Sequence, residues 1–220
     1  MYKLALVIST IPSSNTFRAA LSGAFMSGHL NKFLICSGFF HERTNSKGPF
    51  YASDAFKGVT LQAGSTVTVV GAYEPSAHEF NDFVTNLSAN LAESGVPVLV
   101  DQRRSLKKYA NRWHAKVFIA CQDKKARFAV VGSSNLTRNA FDAKSSNNEA
   151  DVLIWDDSHA PTRALVNSTL GRIQTVAGDD GPAQTVIVAN YNAKDHRNSI
   201  PGPMNSRLLQ LWADVIAATA

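Results

Sequence analysis

The chain has 220 residues, of which 45% are apolar and 18% are charged, a composition typical of one globular domain over residues 1–220. Its two cysteines, Cys36 and Cys121, lie in or beside apolar segments, which argues against a disulfide scaffold and for reduced thiols in a cytoplasmic protein. The net charge of +5 would indicate an anionic partner only if the cations were clustered on the chain.

Strands and helices alternate along the first hundred residues. The apolar run at the amino terminus is too short for a membrane span and is predicted to form the first strand, over residues 3–9. Further strands are predicted over residues 32–39, 66–70 and 96–100, and helices over residues 16–29 and 76–95. The second helix is opened by the capping box of Ser76 and Glu79. Residues 41–63 show no clear period and are predicted to form a loop-rich insertion.

Cations and aromatic side chains cluster between residues 103 and 113. The cluster consists of Arg103, Arg104, Lys107, Lys108, Tyr109, Arg112 and Trp113. Such a segment can follow a phosphate backbone while its rings stack on bases. A solvated basic helix or loop is the alternative, because that is the usual fate of a charge run. The position of the cluster, directly before the motif described next, favours nucleic-acid binding.

The segment 113–120 carries the most informative side chains of the chain. His114 and Lys116 are two residues apart, so in a strand both project from one face while the residues between and after them face a core. An Asp-Lys-Lys turn then returns the chain and brings Gly132-Ser133-Ser134-Asn135 to the end where the two side chains emerge. An imidazole beside a fixed cation suits attack on a phosphate.

The alternation continues to the carboxyl terminus. A helix is predicted from Ser134 to Phe141, and its amino-terminal amides and dipole would help to hold an anion near Ser133. A strand over residues 151–155, a helix over 160–176 and a strand over 184–189 follow. The closing helix has one apolar face formed by Leu208, Leu211, Trp212, Val215 and Ile216. This order favours an α/β fold in which both faces of the sheet are covered.

The motifs together resemble those of the phospholipase D superfamily. The residues that carry the resemblance are His114 and Lys116, then Gly132, Ser133 and Asn135, then Glu149 in the run Asn-Asn-Glu before an apolar strand. The match covers residues 113–155 and implies a mixed, mostly parallel β-sheet flanked by helices on both faces. In one respect the chain departs from the family, because Cys121 stands where the pattern has an aspartate five residues after the lysine. Asp123 is the candidate for that structural support.

The resemblance also implies a division of chemical roles. One imidazole attacks phosphorus to form a phosphohistidine, a second imidazole protonates the leaving oxygen, and no metal ion or other cofactor is needed. Lys116 and Asn135 would bind the non-bridging oxygens, Ser133 would bond to the phosphate or to its neighbours, and Glu149 would fix the tautomer of His114. This chain has one such histidine motif, so a homodimer with a shared active site is expected.

These features predict a metal-independent, homodimeric DNA endonuclease. Nucleic acid is favoured as the substrate because the cations cluster beside His114 and no membrane-seeking helix is evident. Two alternatives stay open. One is a phosphodiesterase that acts on phospholipid or another small phosphodiester. The other is a catalytically degenerate nucleic-acid-binding protein, which the cysteine at position 121 would support. Among the remaining histidines only His41, at the end of an apolar strand, has a setting worth noting.

Overall fold

The computed structural model describes residues 1–9, 15–45, 48–71, 77–104, 116–142, 149–174, 184–195 and 202–219. The strands within these residues are β1 Tyr2–Ser9, β2 Lys32–Cys36, β3 Glu42–Asn45, β4 Gly48–Tyr51, β5 Thr66–Gly71, β6 Leu99–Arg104, β7 Val117–Gln122, β8 Lys125–Gly132, β9 Glu149–Asp156 and β10 Gln184–Asn190. The helices are α1 Thr16–Met26, α2 Ala77–Ala92, α3 Arg138–Phe141, α4 Ala160–Gln174 and α5 Met204–Ala217, with a short 3-10 helix at Ala52–Phe56.

One large mixed sheet organises the described residues. Its eight strands follow the order β10-β1-β9-β8-β7-β2-β5-β6, and β3 pairs separately with β4. Strand β5 lies parallel to β2 and to β6, whereas the other neighbours in the large sheet are antiparallel. The mixed sheet of the sequence analysis is therefore confirmed, but parallel pairing is confined to three adjacent strands and is less extensive than expected. The antiparallel hairpin of β7 and β8 is the reason, because it joins the parallel strands to the rest of the sheet.

Both faces of the sheet are covered by helices, as predicted. Helices α1, α2 and α4 pack on one face, which we call the α1 face, and α5 packs on the opposite face, which we call the α5 face. The alternation of β7 shows the arrangement: Phe118 and Ala120 belong to the α1-face core, while Val117 and Ile119 belong to the α5-face core. Both Cys36 and Cys121 are buried thiols that form no disulfide.

Most elements occur where the sequence predicts them, with three differences of consequence. The predicted loop over residues 41–63 contains the β3–β4 hairpin and the 3-10 helix. Strand β6 begins three residues later than predicted and runs to Arg104, so the first two cations of the basic cluster lie in a strand.

Within the described residues, no helix is both long enough and apolar enough to span a bilayer.

The third difference is the helix expected from Ser134 onward, which is wrong over its first half. The structure has only α3, which begins at Arg138. Leu136 instead forms a parallel bridge with Phe40, and the Leu136 carbonyl accepts from the His41 amide at 2.9 Å. These contacts require an extended backbone, so tertiary pairing overrides the local helical preference. A one-turn helix that begins at Arg138 does not place helical amides beside Ser133.

Candidate active site

One edge of the large sheet collects the polar side chains of the predicted motif. Strand β8 ends at Gly132, β9 begins at Glu149, and Lys116 immediately precedes β7. The Gly132 amide donates to the Lys116 carbonyl at 3.1 Å, which extends the β7–β8 ladder by one step. The structure thereby brings Lys116 next to the loop that begins at Ser133. His114 lies outside the described residues.

Gly132 is required here because the backbone of β9 passes directly beside it. A Cβ atom built on Gly132 would lie 1.9 Å from Oδ1 of Asp151 and 2.7 Å from the Ala150 carbonyl oxygen. No side chain fits in that space. The glycine of the motif therefore lets the loop close against β9, and this contact fixes where the following serines and asparagine lie.

A pair of serine–carboxylate contacts ties this loop to β9. The Ser133 hydroxyl donates to Oε2 of Glu149 and accepts from the Ala150 amide at 3.0 Å. Ser134 is buried; its hydroxyl donates to Oδ2 of Asp151 at 2.6 Å, and its amide donates to Oδ1 at 3.3 Å. Of the two roles left open for Ser133, the structure favours contact with a neighbouring side chain, because the single hydroxyl proton is directed to Glu149.

Asn135 is held from the other side by the segment that follows β2. The Ser37 hydroxyl lies 3.4 Å from Oδ1 of Asn135, donates to the Phe39 carbonyl at 2.8 Å, and accepts from the Leu136 amide at 3.3 Å. With its oxygen turned to Ser37, the side chain of Asn135 makes no hydrogen bond through Nδ2 to the described residues. That N–H pair is therefore available to an anion.

Lys116 supplies the positive charge at this edge. Its side chain is half-buried, and within the described part of the chain its ammonium group forms no hydrogen bond or ion pair. Val117 faces the α5-face core, so the alternation of a strand directs Lys116 towards the α1 face. Asp151 precedes Val152, which packs on the α5-face core, and so it faces the same side as Lys116. Lys116 and Asp151 therefore face the same side of the sheet, beside the loop that carries Asn135.

The basic cluster is only partly described. Arg103 and Arg104 are the last two residues of β6, at the same edge of the sheet as Lys116. Their side chains are bonded to different partners: Arg103 to Asp101 at 2.7 Å, and Arg104 to Asn81 at 2.8 Å. The other members of the cluster lie outside the described residues: Lys107, Lys108, Tyr109, Arg112 and Trp113.

Asp123 and Cys121 lie at the opposite end of β7 from Lys116. Asp123 adopts a positive φ of 56° in the β7–β8 turn, where its carboxylate accepts from Nδ2 of Asn31 and its amide donates to Oδ1 of Asn31, both at 2.8 Å. Burial raises the pKa of the Cys121 thiol to about 12, so this sulfur is a neutral core group. Asp123 thus fastens the turn and makes no contact with the loop at Ser133.

Three residues near this loop were not singled out as site residues from the sequence. The buried hydrogen bond between Ser134 and Asp151 joins the loop to β9, and the Ser37 hydroxyl contacts Asn135. A signal for Asp151 was present, because it lies two residues after Glu149 and an acid in an apolar strand needs a partner. Ser37 carried none, because it approaches Asn135 from 98 positions away in the chain. His41 accepts the Arg138 amide at Nδ1, 3.1 Å away, and burial lowers its pKa, so it supports the loop as a neutral ring.

Asp151 gives the site a pH-dependent stability. Burial raises the pKa of this carboxyl above its usual 3.8, although Ser134 opposes that shift. The folded protein therefore keeps this proton to a higher pH than the unfolded chain, and stability falls as pH rises between the two pKa values. Asp151→Asn removes the titration, and the Ser134 hydroxyl can accept from the new amide.

We expect the melting temperature of Asp151→Asn to improve relative to wild type as pH is raised from about 3.5 to 6. Thermal unfolding followed by circular dichroism across this interval measures the effect. Parallel curves for the two proteins would contradict it. Asp151→Leu is the companion variant, because it removes the charge and also leaves Ser134 without its acceptor; it should be less stable than Asp151→Asn at every pH.

The described residues contain no group of three or more histidine, cysteine, aspartate or glutamate side chains arranged to hold a metal ion. Beside the loop at Ser133 lie the ammonium group of Lys116, the amide of Asn135, the Ser133 hydroxyl and the Glu149 carboxylate. Such a set can neutralise and orient an anionic oxygen by charge and hydrogen bonds.

The chain is similar to one protein family and to several solved structures. The family described as "Cardiolipin synthase, PLD-like domain" matches residues 33–167. Among solved structures, NucT from Helicobacter pylori is 18% identical with a TM-score of 0.40, and the alignment covers 79% of this chain and 95% of that one. Phosphatidylserine synthase from Haemophilus influenzae Rd KW20 is 14% identical with a TM-score of 0.43, covering 99% and 46%.

The yeast tyrosyl-DNA phosphodiesterase is 12% identical with a TM-score of 0.34, covering 68% of this chain and 31% of that one. No curated protein sequence matches the chain. The family match includes β2 except its first residue, both strands of the β7–β8 hairpin and all of β9, and so it covers Lys116, Ser133, Asn135 and Glu149. Because it extends over more than half of the 220 residues, the chain belongs to the phospholipase D superfamily of phosphodiesterases.

Proposed function

We propose that the protein is a metal-independent phosphodiesterase that cleaves DNA as a homodimer through a phosphohistidine intermediate. The observation that carries the proposal is the arrangement at the sheet edge. Lys116, Asn135 and the Ser133–Glu149 pair lie at that edge, and Lys116 is two residues from His114 in the sequence. Cation, amide and carboxylate are the groups that a histidine nucleophile needs around a phosphodiester.

The first half of the reaction transfers a phosphoryl group to nitrogen. One ring nitrogen of His114 attacks phosphorus, the bond between phosphorus and the leaving oxygen breaks, and that oxygen takes a proton from a second imidazole. Lys116 and Nδ2 of Asn135 stabilise the non-bridging oxygens as their charge develops. In the second half, water attacks phosphorus, the N–P bond breaks, and the second imidazole accepts the proton of the water.

Glu149 has the remaining role in this scheme. A carboxylate has about four acceptor positions, so accepting the Ser133 proton leaves capacity to accept an N–H from His114. Such a bond holds one tautomer and presents the other nitrogen to phosphorus. Ser133 and the Ala150 amide in turn keep the carboxylate oriented.

The second imidazole is the reason for proposing a homodimer. The sequence contains a single histidine motif of this kind, and the two steps need an attacking base and a protonated acid at once. Two copies related by a two-fold axis supply both from the same residue. Once substrate is bound, the two histidines must differ in protonation, because the attacker is neutral and the acid is charged.

Nucleic acid is the substrate that the charge distribution supports. The basic cluster from Arg103 to Arg112 immediately precedes His114, and Arg103 and Arg104 lie at the edge of the sheet that carries Lys116. Neutralising several backbone phosphates in this way would give binding that weakens steeply with salt. A cytoplasmic setting is part of the proposal, in keeping with two buried thiols.

A phospholipid diester is the second candidate, because the matching family is described by cardiolipin synthase. One experiment separates the two. The purified protein is incubated in excess EDTA with plasmid, single-stranded DNA, RNA and anionic phospholipid vesicles, and its mass in solution is measured by sedimentation.

We expect cleavage of DNA with a dimeric mass. Cleavage of the vesicles alone would replace DNA by lipid as the substrate. Loss of activity in EDTA that is restored by a divalent metal would overturn the metal-independent mechanism, and a monomer with full activity would overturn the shared site.

A further inference from the structure

The two adjacent arginines of β6 point to opposite faces of the sheet. Arg104 donates to Oδ1 of Asn81, which belongs to α2 and therefore lies on the α1 face. Gln102 donates to the same oxygen at 2.8 Å, as expected for residues two apart in a strand. Arg103 instead bonds to Asp101, its own neighbour on the other face. In the sequence alone, these two cations were members of one cluster and were not distinguished.

The strand register places Arg104 in one row with the candidate active site. Arg104 pairs with Gly71, and Cys36 pairs with both Val70 and Val117. One step further along each strand, the row therefore reads Arg104, Gly71, Ser37, Lys116. Residues side by side in a row project from the same face of a sheet, so Arg104 and Lys116 lie on the same side.

The span of this row matches a short length of nucleic acid. Three strand intervals separate β6 from β7, which is a distance of about 14 Å between the backbones. At a rise of about 3.4 Å per nucleotide in a stacked strand, this equals about four nucleotides. A second phosphate of a longer strand, rather than the phosphate bound at Lys116, is therefore the group expected to contact Arg104.

Between the two cations the row itself is buried and consists of two small residues. Gly71 and Ser37 are both buried, and the ring of Phe40 lies so close over Gly71 that a Cβ there would approach it to 2.5 Å. Arg104 is exposed at the end of this row opposite Lys116. Its bond to Asn81 uses one of five guanidinium N–H groups, so the others remain able to bind a phosphate.

We propose that Arg104, positioned by Asn81, binds a backbone phosphate about four nucleotides from the scissile one and makes the enzyme favour long substrates. This inference rests on the proposed function. It applies to Arg104 because Arg104 lies on the face of Lys116, whereas Arg103 lies on the opposite face.

The test compares a small chromogenic diester, bis(p-nitrophenyl) phosphate, with a single-stranded oligonucleotide of about twelve nucleotides, enough to extend past the row. Arg104→Ala should lower kcat/KM for the oligonucleotide about tenfold, mainly through KM, and leave the small diester unchanged, because one charge-assisted contact is lost. Arg163→Ala removes an exposed arginine of α4 that bonds to the Asp157 carbonyl, and it is the matched control with no expected effect.

Two further measurements make the test independent of turnover on either substrate. Binding of the oligonucleotide to His114→Ala protein should show a salt dependence that Arg104→Ala reduces by about one counterion. Asn81→Ala should weaken binding by a smaller factor, and the Asn81→Ala, Arg104→Ala double variant should bind no more weakly than Arg104→Ala, because Asn81 acts through Arg104.

Distinct outcomes separate failure of this inference from failure of the proposed function. If wild-type protein neither cleaves nor binds nucleic acid, the proposed function falls. If it binds and Arg104→Ala leaves affinity and salt dependence unchanged, the inference alone is overturned.

Discussion

Replacing His114 by alanine is expected to abolish cleavage of DNA, with a loss of at least about 10⁴-fold in kcat. The loss is large because the one site shared by the two subunits would lose both its nucleophile and its general acid through a single substitution. Initial rates on plasmid in excess EDTA measure it. An acid-labile N–P bond that joins His114 to one cut DNA end, trapped during turnover, would identify the intermediate.

The control for this variant is His78→Ala. His78 is an exposed residue of α2, 65% accessible, and its replacement should leave the rate unchanged. Retention of more than a small fraction of wild-type activity by His114→Ala would end the phosphohistidine mechanism. The equilibrium binding of DNA by the same variant shows whether it still folds and recognises substrate.

Mixed dimers give a sharper test of the shared site. When wild-type and His114→Ala subunits are exchanged, a site that needs one histidine from each copy works only in wild-type pairs, so activity should follow the square of the wild-type fraction. Independent sites would give a linear dependence. A linear result with a confirmed dimer would therefore place a complete catalytic set in each subunit.

Gly132→Ala is expected to lower the free energy of unfolding by at least about 3 kcal/mol and to remove catalytic activity with it. The added methyl group would lie 1.9 Å from the Asp151 carboxylate and 2.7 Å from a backbone carbonyl, so the loop and β9 must separate. That separation breaks the two contacts of Ser134 with Asp151 and leaves the carboxyl buried without its donors. Urea unfolding gives the free energy.

Gly171→Ala is the matched control. Gly171 lies within α4, and a Cβ there would meet nothing within 4 Å. Alanine at that position should stabilise the helix by up to about 1 kcal/mol, because it costs less backbone entropy than glycine. Equal destabilisation by the two variants would mean that the space beside Gly132 is not what limits the loop.

The strands and helices were predictable where local pattern determines them. Strands β5 and β9 and helices α1, α4 and α5 have enough apolar periodicity to be placed within a few residues. The β3–β4 hairpin was missed because its strands have four residues each and show no alternation of apolar side chains. The first half of the helix predicted from Ser134 to Phe141 was wrong because the pairing of Leu136 with Phe40 joins segments far apart in the chain.

For the candidate site, residue types could be predicted and contacts could not. The order of His114, Lys116, Ser133, Asn135 and Glu149 indicated the family, which the match over residues 33–167 confirms. Nothing local indicated that the Ser133 hydroxyl donates to Glu149 or that Asp151 would be buried beneath the loop.

The sequence by itself determined the family and the types of the candidate side chains, because the family is recognised by a few side chains in a fixed order along the chain. Only the tertiary structure decided how these groups are supported. Gly132 touches Asp151, Ser37 reaches Asn135, and strand register sends Arg104 but not Arg103 to the face of Lys116. The physical reason is that sheet order and register join residues dozens of positions apart, and no local pattern encodes which residues become neighbours.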